Sequence, residues 1–323
     1  MKDLVRSALL FVAIGLAIYV GVYWWSERLV YATGHSNPLF KIETAARTDY
    51  DWLILDASHA MTLDFADFNT SMERETGLKI INLASTGSGP LYNRFVLEQF
   101  VRQHRAKHLL YVLDSFAFRS AEWNEGRFAD AKLLRRSPFT WTIARSLFEY
   151  SQHEGISPLA VLDYVSGFSK INNRERFQRD QWEGEGQFDR VYRPSASMVK
   201  KRIDYLYPAS ASPDLLNRYI ASFADLVAVA QQHGMDIALI EMPLPAQFRG
   251  AQPDDSAFTA AITRLVSERK LVLKDFSAAL PEPQYYFDTD HLNRAGVTEF
   301  FRRSLKAILL PPRAALAPAR TGE

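Results

Sequence analysis

Ser58, His291 and Asp288 are the side chains of this sequence whose types and settings suit covalent acyl chemistry. Ser58 stands in Asp56-Ala57-Ser58-His59-Ala60, just after a short apolar run, Trp52 to Leu55, and just before a helical stretch. A hydroxyl at such a junction lies beside helix N-terminal amides, which stabilise a developing oxyanion. The plain alternative is a helix N-cap, a role serine often fills. Near the other end comes Asp288-Thr289-Asp290-His291-Leu292-Asn293-Arg294-Ala295-Gly296. An aspartate three residues before a histidine on a loop can hold the imidazole tautomer and stabilise the imidazolium that forms when it takes a proton. By itself that spacing equally describes a surface turn followed by a helix cap. Asp288, Asp290 and His291 also have metal-binding chemistry, but a metal site wants further ligands that the sequence does not point to, so neither metal nor organic cofactor is expected.

Other chemistries lose ground. With no cysteine in 323 residues, disulfide staples, thiolate zinc sites, iron–sulfur clusters and a cysteine nucleophile are excluded. The phosphate loop, the full Gly-x-Gly-x-x-Gly and the Gly-x-Ser-x-Gly elbow are missing, and His153-Glu154 starts a zincin-like string that ends in Ser157 instead of histidine. The balance of 38 basic and 37 acidic residues gives no field to hold a polyanion, so no nucleic-acid partner is expected. His59 is read as facing solvent on the first helical turn, and His35, His104, His108, His153 and His233 as solvated or satisfied.

The elements that must position these groups follow an alternating rhythm. Short β-rich runs at Trp52–Leu55, Lys79–Leu83, His108–Leu113, Asp236–Glu241 and Leu271–Lys274 alternate with helical stretches such as Pro213–His233 and about Asp255–Lys270. That predicts an α/β fold, a doubly wound parallel sheet of about five strands. Residues 119–207 break the rhythm, with Trp123, Trp141 and Trp182 among many arginines; they read as an insertion after the third strand, either a cap over the carboxyl edge of the sheet or a purely structural helical subdomain. Arg174, Arg176, Arg179, Phe177 and Trp182 fit contact with acidic sugars, or a solvated face with a buried stripe.

Ser7 to Trp25 is free of charge, near the ~20 residues needed to span a bilayer. Lys2 and Arg6 precede it, and Trp24 and Trp25 sit where an aromatic belt belongs. The alternatives are a cleaved signal peptide and a buried core helix; no small-x-small cleavage site follows Trp25. The expected organisation is an anchor over 1–26, a linker over 27–48, the catalytic domain over 49–310 and a disordered tail over 311–323.

Ser58 after the first strand, Asn82-x-x-x-x-Gly87 after the second, and Asp288-x-x-His291-x-Asn293 before the last helix resemble the SGNH, or GDSL-like, hydrolases, as does Leu239 to Pro245. The anchor makes the chain more similar to the membrane-anchored branch that includes alginate O-acetylation and teichoic acid D-alanyl transfer proteins. The resemblance covers about 50–118 and 213–309. It implies a flavodoxin-like SGNH fold with Ser58 as nucleophile, His291 as general base and Asp288 as its orienting partner. It further implies an oxyanion hole from the Ser58 and Gly87 N–H groups, although Gly87 and Gly89 also suit a simple tight turn. Two departures stand out: the family's Gly-Asp-Ser is here Asp56-Ala57-Ser58, and the third block, near Asp114 to Phe118, has no asparagine, leaving Ser115 as a substitute donor and Asn82 as an auxiliary. The function implied is an extracytoplasmic serine esterase or O-acyltransferase held in the cytoplasmic membrane, its catalytic domain periplasmic. Its partners would be the membrane, an acylated polysaccharide or envelope glycan, and a membrane acyl-transfer protein as donor. The alternative is a catalytically silent SGNH-like module that binds a glycan or an envelope-assembly partner.

Overall fold

The computed structural model describes residues 1–208 and 213–310; the expected tail, 311–323, lies outside the described residues. The chain opens with α1 (Lys2–Thr33) and α2 (Pro38–Thr44), so residues 27–48, expected as a linker, carry the end of the first helix and a second one. Then follow β1 (Asp49–Leu55), α3 (Ser58–Met61), α4 (Phe68–Thr76), β2 (Ile80–Asn82), α5 (Pro90–Gln103) and β3 (Arg105–Val112). The insertion includes α6 (Trp141–His153), α7 (Pro158–Ser166) and α8 (Ala196–Leu206). The sheet domain resumes with α9 (Pro213–Gln232), β4 (Asp236–Glu241), α10 (Ser256–Arg269), β5 (Val272–Asp275) and α11 (Arg294–Phe300).

The five strands run in the order β2-β1-β3-β4-β5, every neighbouring pair parallel. This is the flavodoxin-like doubly wound order. Side chains alternate between two faces, both covered at the inner parts of β1, β3 and β4, which is why these read as continuous apolar runs, whereas the edge strand β5 is largely exposed. Leu53, Leu55, Leu109, Tyr111 and Leu239 pack on one side with Phe95, Phe100, Phe223 and Leu226 of α5 and α9. Trp52, Ile54, Leu110, Val112 and Ile240 pack on the other with Met72, Val297 and Phe300. Chain order reverses between β1 and β3, and the crevice beyond the carboxyl ends of the strands at such a switch point is where open α/β sheets bind ligands. Ser58 follows β1 directly at that place.

The uncharged part of α1 projects from the body, with Leu9, Leu10, Phe11, Val12 and Leu16 exposed, while Ser26, Glu27 and Val30 are buried. Among the described residues α1 is the one helix long and apolar enough to cross a bilayer. Its last two turns pack on the insertion. The Glu27 carboxylate accepts from Lys170 Nζ at 2.6 Å and from the Phe139 N–H at 2.6 Å.

Candidate active site

Ser58 is the first residue of α3, with Ala57 as N-cap, so its hydroxyl does not cap the helix. Instead Ser58 Oγ lies 2.8 Å from His291 Nε2. The other imidazole nitrogen, Nδ1, lies 2.9 Å from Asp288 Oδ2. With the Nδ1 proton donated to Asp288, the Nε2 lone pair is left to accept from the serine hydroxyl, the tautomer a general base requires. Two residues 233 positions apart in the chain are thus brought together by the sheet.

The loop holding His291 is wound around its own aspartate. Asp288 Oδ1 accepts from the Asp290 and His291 N–H groups at 3.0 and 2.8 Å. Asn293 caps α11, accepting from the Gly296 N–H at 2.9 Å, while its amide donates to the Arg190 and Gln284 carbonyls. The imidazole is stacked on Phe287, ring centroids 5.5 Å apart and nearly parallel, and Trp182 of the insertion lies 5.1 Å away. Its position is therefore fixed from three sides.

His59 corrects the sequence reading. It is buried rather than facing solvent, because two carboxylates claim its nitrogens: Asp114 on Nδ1 at 2.7 Å and Asp290 on Nε2 at 3.3 Å. Burial opposes its charge, but Asp114 and then Asp290 outweigh it and raise its pKa to about 10, so His59 is an imidazolium at neutral pH. Asp290, fully enclosed, is held well below the usual carboxylate range against the pull of burial by Arg202, with His291 and His59 adding to the effect. Arg202 of α8 reaches it through Nε at 3.0 Å and Nη2 at 2.8 Å. A second line of charge, Asp114, His59, Asp290 and Arg202, thus runs behind His291, with ring centroids of the two histidines 4.8 Å apart.

Asp56 ends this line. Among the described residues its buried carboxyl oxygens have no well-formed hydrogen bond, with only the Ala57 N–H and the Asp114 carboxyl group close by. Burial first, and then Asp114 beside it, drive its pKa well above the usual range, which makes Asp56 a neutral acid able to donate to Asp114. A neutral Asp56 sets no negative charge against an oxyanion forming near Ser58. Its φ of 153° is a backbone setting that favours glycine, and it stands where the resembled family carries its glycine.

Gly87 takes φ 61°, and a Cβ there would stand 2.4 Å from the Trp123 ring, so both conformation and space demand glycine. Among the described residues neither the Ser58 nor the Gly87 N–H has a protein acceptor, which leaves both for an incoming oxyanion. The two auxiliaries are engaged elsewhere. Asn82 donates its amide to the Ala60 carbonyl at 2.8 Å and accepts from the Ala84 N–H at 2.9 Å, tying the end of β2 to α3. The Ser115 hydroxyl pairs with Tyr207 Oη at 3.0 Å on the wall of a separate cavity that the buried His59 and Asp114 and the half-buried Glu241 also line. Asn124, unremarked in the sequence, is buried nearby, but its amide serves the Ala117 and Ser120 carbonyls.

A cavity of roughly 540 Å³ opens beside the site, walled by Met61, Ser85, Thr86, Trp123, Trp182 and Tyr205. Three of its four arginines are matched by acids, Arg127 with Asp130, Arg135 with Glu175 and Arg136 near Asp180, while Arg179 meets His35 and the acids Glu122 and Glu183 add further negative charge to the wall. The lining is therefore aromatic and charge-balanced rather than cationic. His59, Asp290 and His291 are close enough to share a metal ion, but Asp290 is paired with Arg202 and the two imidazoles are engaged by Asp114, Asp288 and Ser58, so the donor set is already committed.

No protein-family model and no curated protein matches the chain. Among solved structures it is similar to a GDSL-like lipase from Bacteroides thetaiotaomicron, at 8% identity over 81% of this chain and 88% of that one, with a TM-score of 0.40. It is also similar to the psychrotrophic esterase EstA from a Pseudoalteromonas species, at 13% identity over 82% of this chain and 100% of that one, with a TM-score of 0.39. At such TM-scores neither likeness bears on the chemistry, which stands on the atoms described above.

Proposed function

We propose that the chain is a membrane-anchored serine esterase or O-acyltransferase of SGNH type, acting outside the cytoplasm on acyl groups of a polysaccharide or envelope glycan. The observation that carries this reading is the hydrogen-bonded series Ser58 Oγ, His291 Nε2, His291 Nδ1, Asp288 Oδ2, with separations of 2.8 and 2.9 Å. In the first half-reaction Ser58 Oγ attacks the ester carbonyl as its proton passes to His291 Nε2. The carbonyl electron pair becomes an oxyanion received by the Ser58 and Gly87 N–H groups, and Asp288 stabilises the imidazolium. Collapse breaks the ester bond, and His291 returns the proton to the departing oxygen. In the second half-reaction a sugar hydroxyl or water attacks the acyl-Ser58 by the same proton path.

The glycan reading draws on Trp123, Trp182 and Tyr205 in the cavity wall, faces on which sugar rings stack. The membrane reading draws on α1 and its basic flank, which favours a periplasmic domain anchored in the cytoplasmic membrane. A membrane acyl-transfer protein is the donor that such a location would supply, as the resemblance to alginate and teichoic acid modification proteins implies. The alternative, a silent glycan-binding module, draws on the missing third-block asparagine. A fluorophosphonate probe on the full chain in detergent separates the two: labelling lost in Ser58→Ala and slowed at least 100-fold in His291→Ala is expected of the enzyme. A folded chain that takes no label is the binding module.

A further inference from the structure

The insertion is fastened to α1 well inside the uncharged stretch. Tyr19 Oη donates to the Ser166 carbonyl at 2.6 Å. Gly167 lies so close to Tyr23 that a Cβ there would stand 2.3 Å from its ring. Trp25 meets Phe177 edge-on at 5.9 Å, and one turn beyond Tyr23 the Glu27–Lys170 pair closes the joint. Tyr19 precedes Trp25 by six residues, about 9 Å along a helix. A bilayer that takes in Ser7 to Trp25 therefore takes in residues 166–168 at the level of Tyr19 and Tyr23.

The side chains displayed around that level suit lipid rather than water. On α7, Leu159, Leu162 and Val165 recur three residues apart and are 71%, 62% and 41% exposed, while Ala160 and Tyr164 on the opposite side are buried. Phe168, directly after α7, is 62% exposed and Trp141, at the start of α6, 75% exposed. The ionisable group of α7, Asp163, is half-buried and engaged locally, its carboxylate accepting from the Ser169 N–H at 2.7 Å and from the Ser169 hydroxyl at 2.5 Å. Single exposed apolar residues are ordinary; a charge-free helix face next to a candidate span is not.

We propose that α7, Phe168 and Trp141 form a second membrane contact, lying in the interfacial layer of the bilayer beside α1 with the apolar face of α7 toward the acyl chains. The inference rests on α1 crossing the bilayer. Lipid is the occupant because the residues to which this segment is bonded, Tyr19 and Tyr23, belong to the span itself, and helices with such faces bury them roughly 5–10 Å into the headgroup and acyl boundary. Two contacts in place of one fix the tilt of the domain on the membrane.

Because the chain has no cysteine, single-cysteine probes test this directly. Full-length Val12→Cys, Leu162→Cys and Glu268→Cys, each carrying an environment-sensitive nitrobenzoxadiazole dye, are placed in nanodiscs whose lipids are brominated in the upper acyl chain. The expected result is quenching at Val12 and Leu162 at least threefold stronger than at Glu268. Quenching at Val12 with Leu162 behaving like Glu268 overturns the second contact and leaves the anchor standing. No quenching at Val12 overturns both. A Leu162 dye shielded from aqueous iodide yet untouched by brominated lipid points to a second copy of the chain on this face and overturns the lipid contact.

Discussion

Replacing Asp56 separates two costs that the structure assigns to one residue. The first is electrostatic: Asp56 is a neutral acid in the fold and ionises when the chain unfolds. A carboxyl with a raised folded pKa contributes stability that is fully present below its unfolded pKa and is lost as pH rises toward the folded one. Through that window the loss is about 1.4 kcal/mol per pH unit. The second cost is conformational, since a φ of 153° on a non-glycine residue amounts to about 1–3 kcal/mol. Asp56→Asn keeps the shape and a donor toward Asp114 but cannot ionise; Asp56→Gly removes both costs and loses about 0.5–1 kcal/mol to backbone entropy. Urea unfolding of the full chain in detergent, followed by tryptophan fluorescence at pH 5 and pH 6, reads both. The gap between Asp56→Asn and wild type should widen by about 1.4 kcal/mol from pH 5 to pH 6. Asp56→Gly should be a further 1–2 kcal/mol or so more stable than Asp56→Asn at both values. If Asp56→Asn tracks wild type at both, Asp56 is ionised in the fold and the neutral-acid assignment is wrong. If Asp56→Gly is no more stable than Asp56→Asn, the backbone there carries no strain.

Three further outcomes follow from the same geometry. Asp288→Asn removes the charge that stabilises the imidazolium while leaving the loop, and should slow fluorophosphonate labelling of Ser58 by about 100- to 10,000-fold; a change below threefold would remove Asp288 from the proton path. Arg202→Met leaves the enclosed Asp290 without its guanidinium and should cost about 3–5 kcal/mol in urea unfolding, most of it recovered by adding Asp290→Asn; equal losses in the single and double variants would refute the pairing. Glu241, raised to about 7 by burial and then by Asp275, Asp114 and Asp255, is most stabilising below its unfolded value and loses that contribution as pH climbs through about 7. Glu241→Gln should therefore flatten the stability profile between about pH 4.5 and 7 by about 1–3 kcal/mol, and an unchanged profile would show the group to be ordinary.

The inner strands are legible because their burial on both faces writes itself as unbroken apolar runs, whereas the edge strand β5 is largely exposed and ends in Lys274 and Asp275. Trp52–Leu55, for instance, marks the inner part of β1, while the strand itself begins at Asp49, where Asp49 and Asp51 flank the buried Tyr50 and break the apolar run. The helix Pro213–Gln232 was bounded by its own proline and by Gly234. The pairing of Asp288 with His291 is legible because both lie on one capped loop, where local spacing sets geometry, whereas the meeting of Ser58 with His291, 233 residues away, is implied only by the resemblance to the SGNH hydrolases. The setting of His59 is not legible, since its burial is decided by Asp114 and Asp290, 55 and 231 residues away. Nothing in the spacing of Arg202 connects it to Asp290 either; that pair exists only because α8 folds back over the carboxyl edge of the sheet.

From sequence the insertion is either a cap or a structural subdomain, and its contacts make that choice too narrow. One end of it binds α1 through Lys170 and Phe139, and the other delivers Arg202 to Asp290 and Trp182 to the face of His291. Packed elements move as rigid pieces rather than deforming continuously, so the segment that grips the apolar helix is also a wall of the site. On the proposed reading, a substrate entering by the cavity between Trp123, Trp182 and Tyr205 would meet Ser58 at an orientation set by α1. For chemistry on an acyl group supplied at a membrane, that fixed orientation matters more than the intrinsic reactivity of the serine, because holding two reactants in register is worth about 7–11 kcal/mol of a bimolecular barrier. Loosening the joint with Lys170→Ala, which strands the Glu27 carboxylate, should therefore lower turnover on a membrane-held donor far more than it lowers fluorophosphonate labelling. Equal losses in the two assays would mean that the joint serves folding alone.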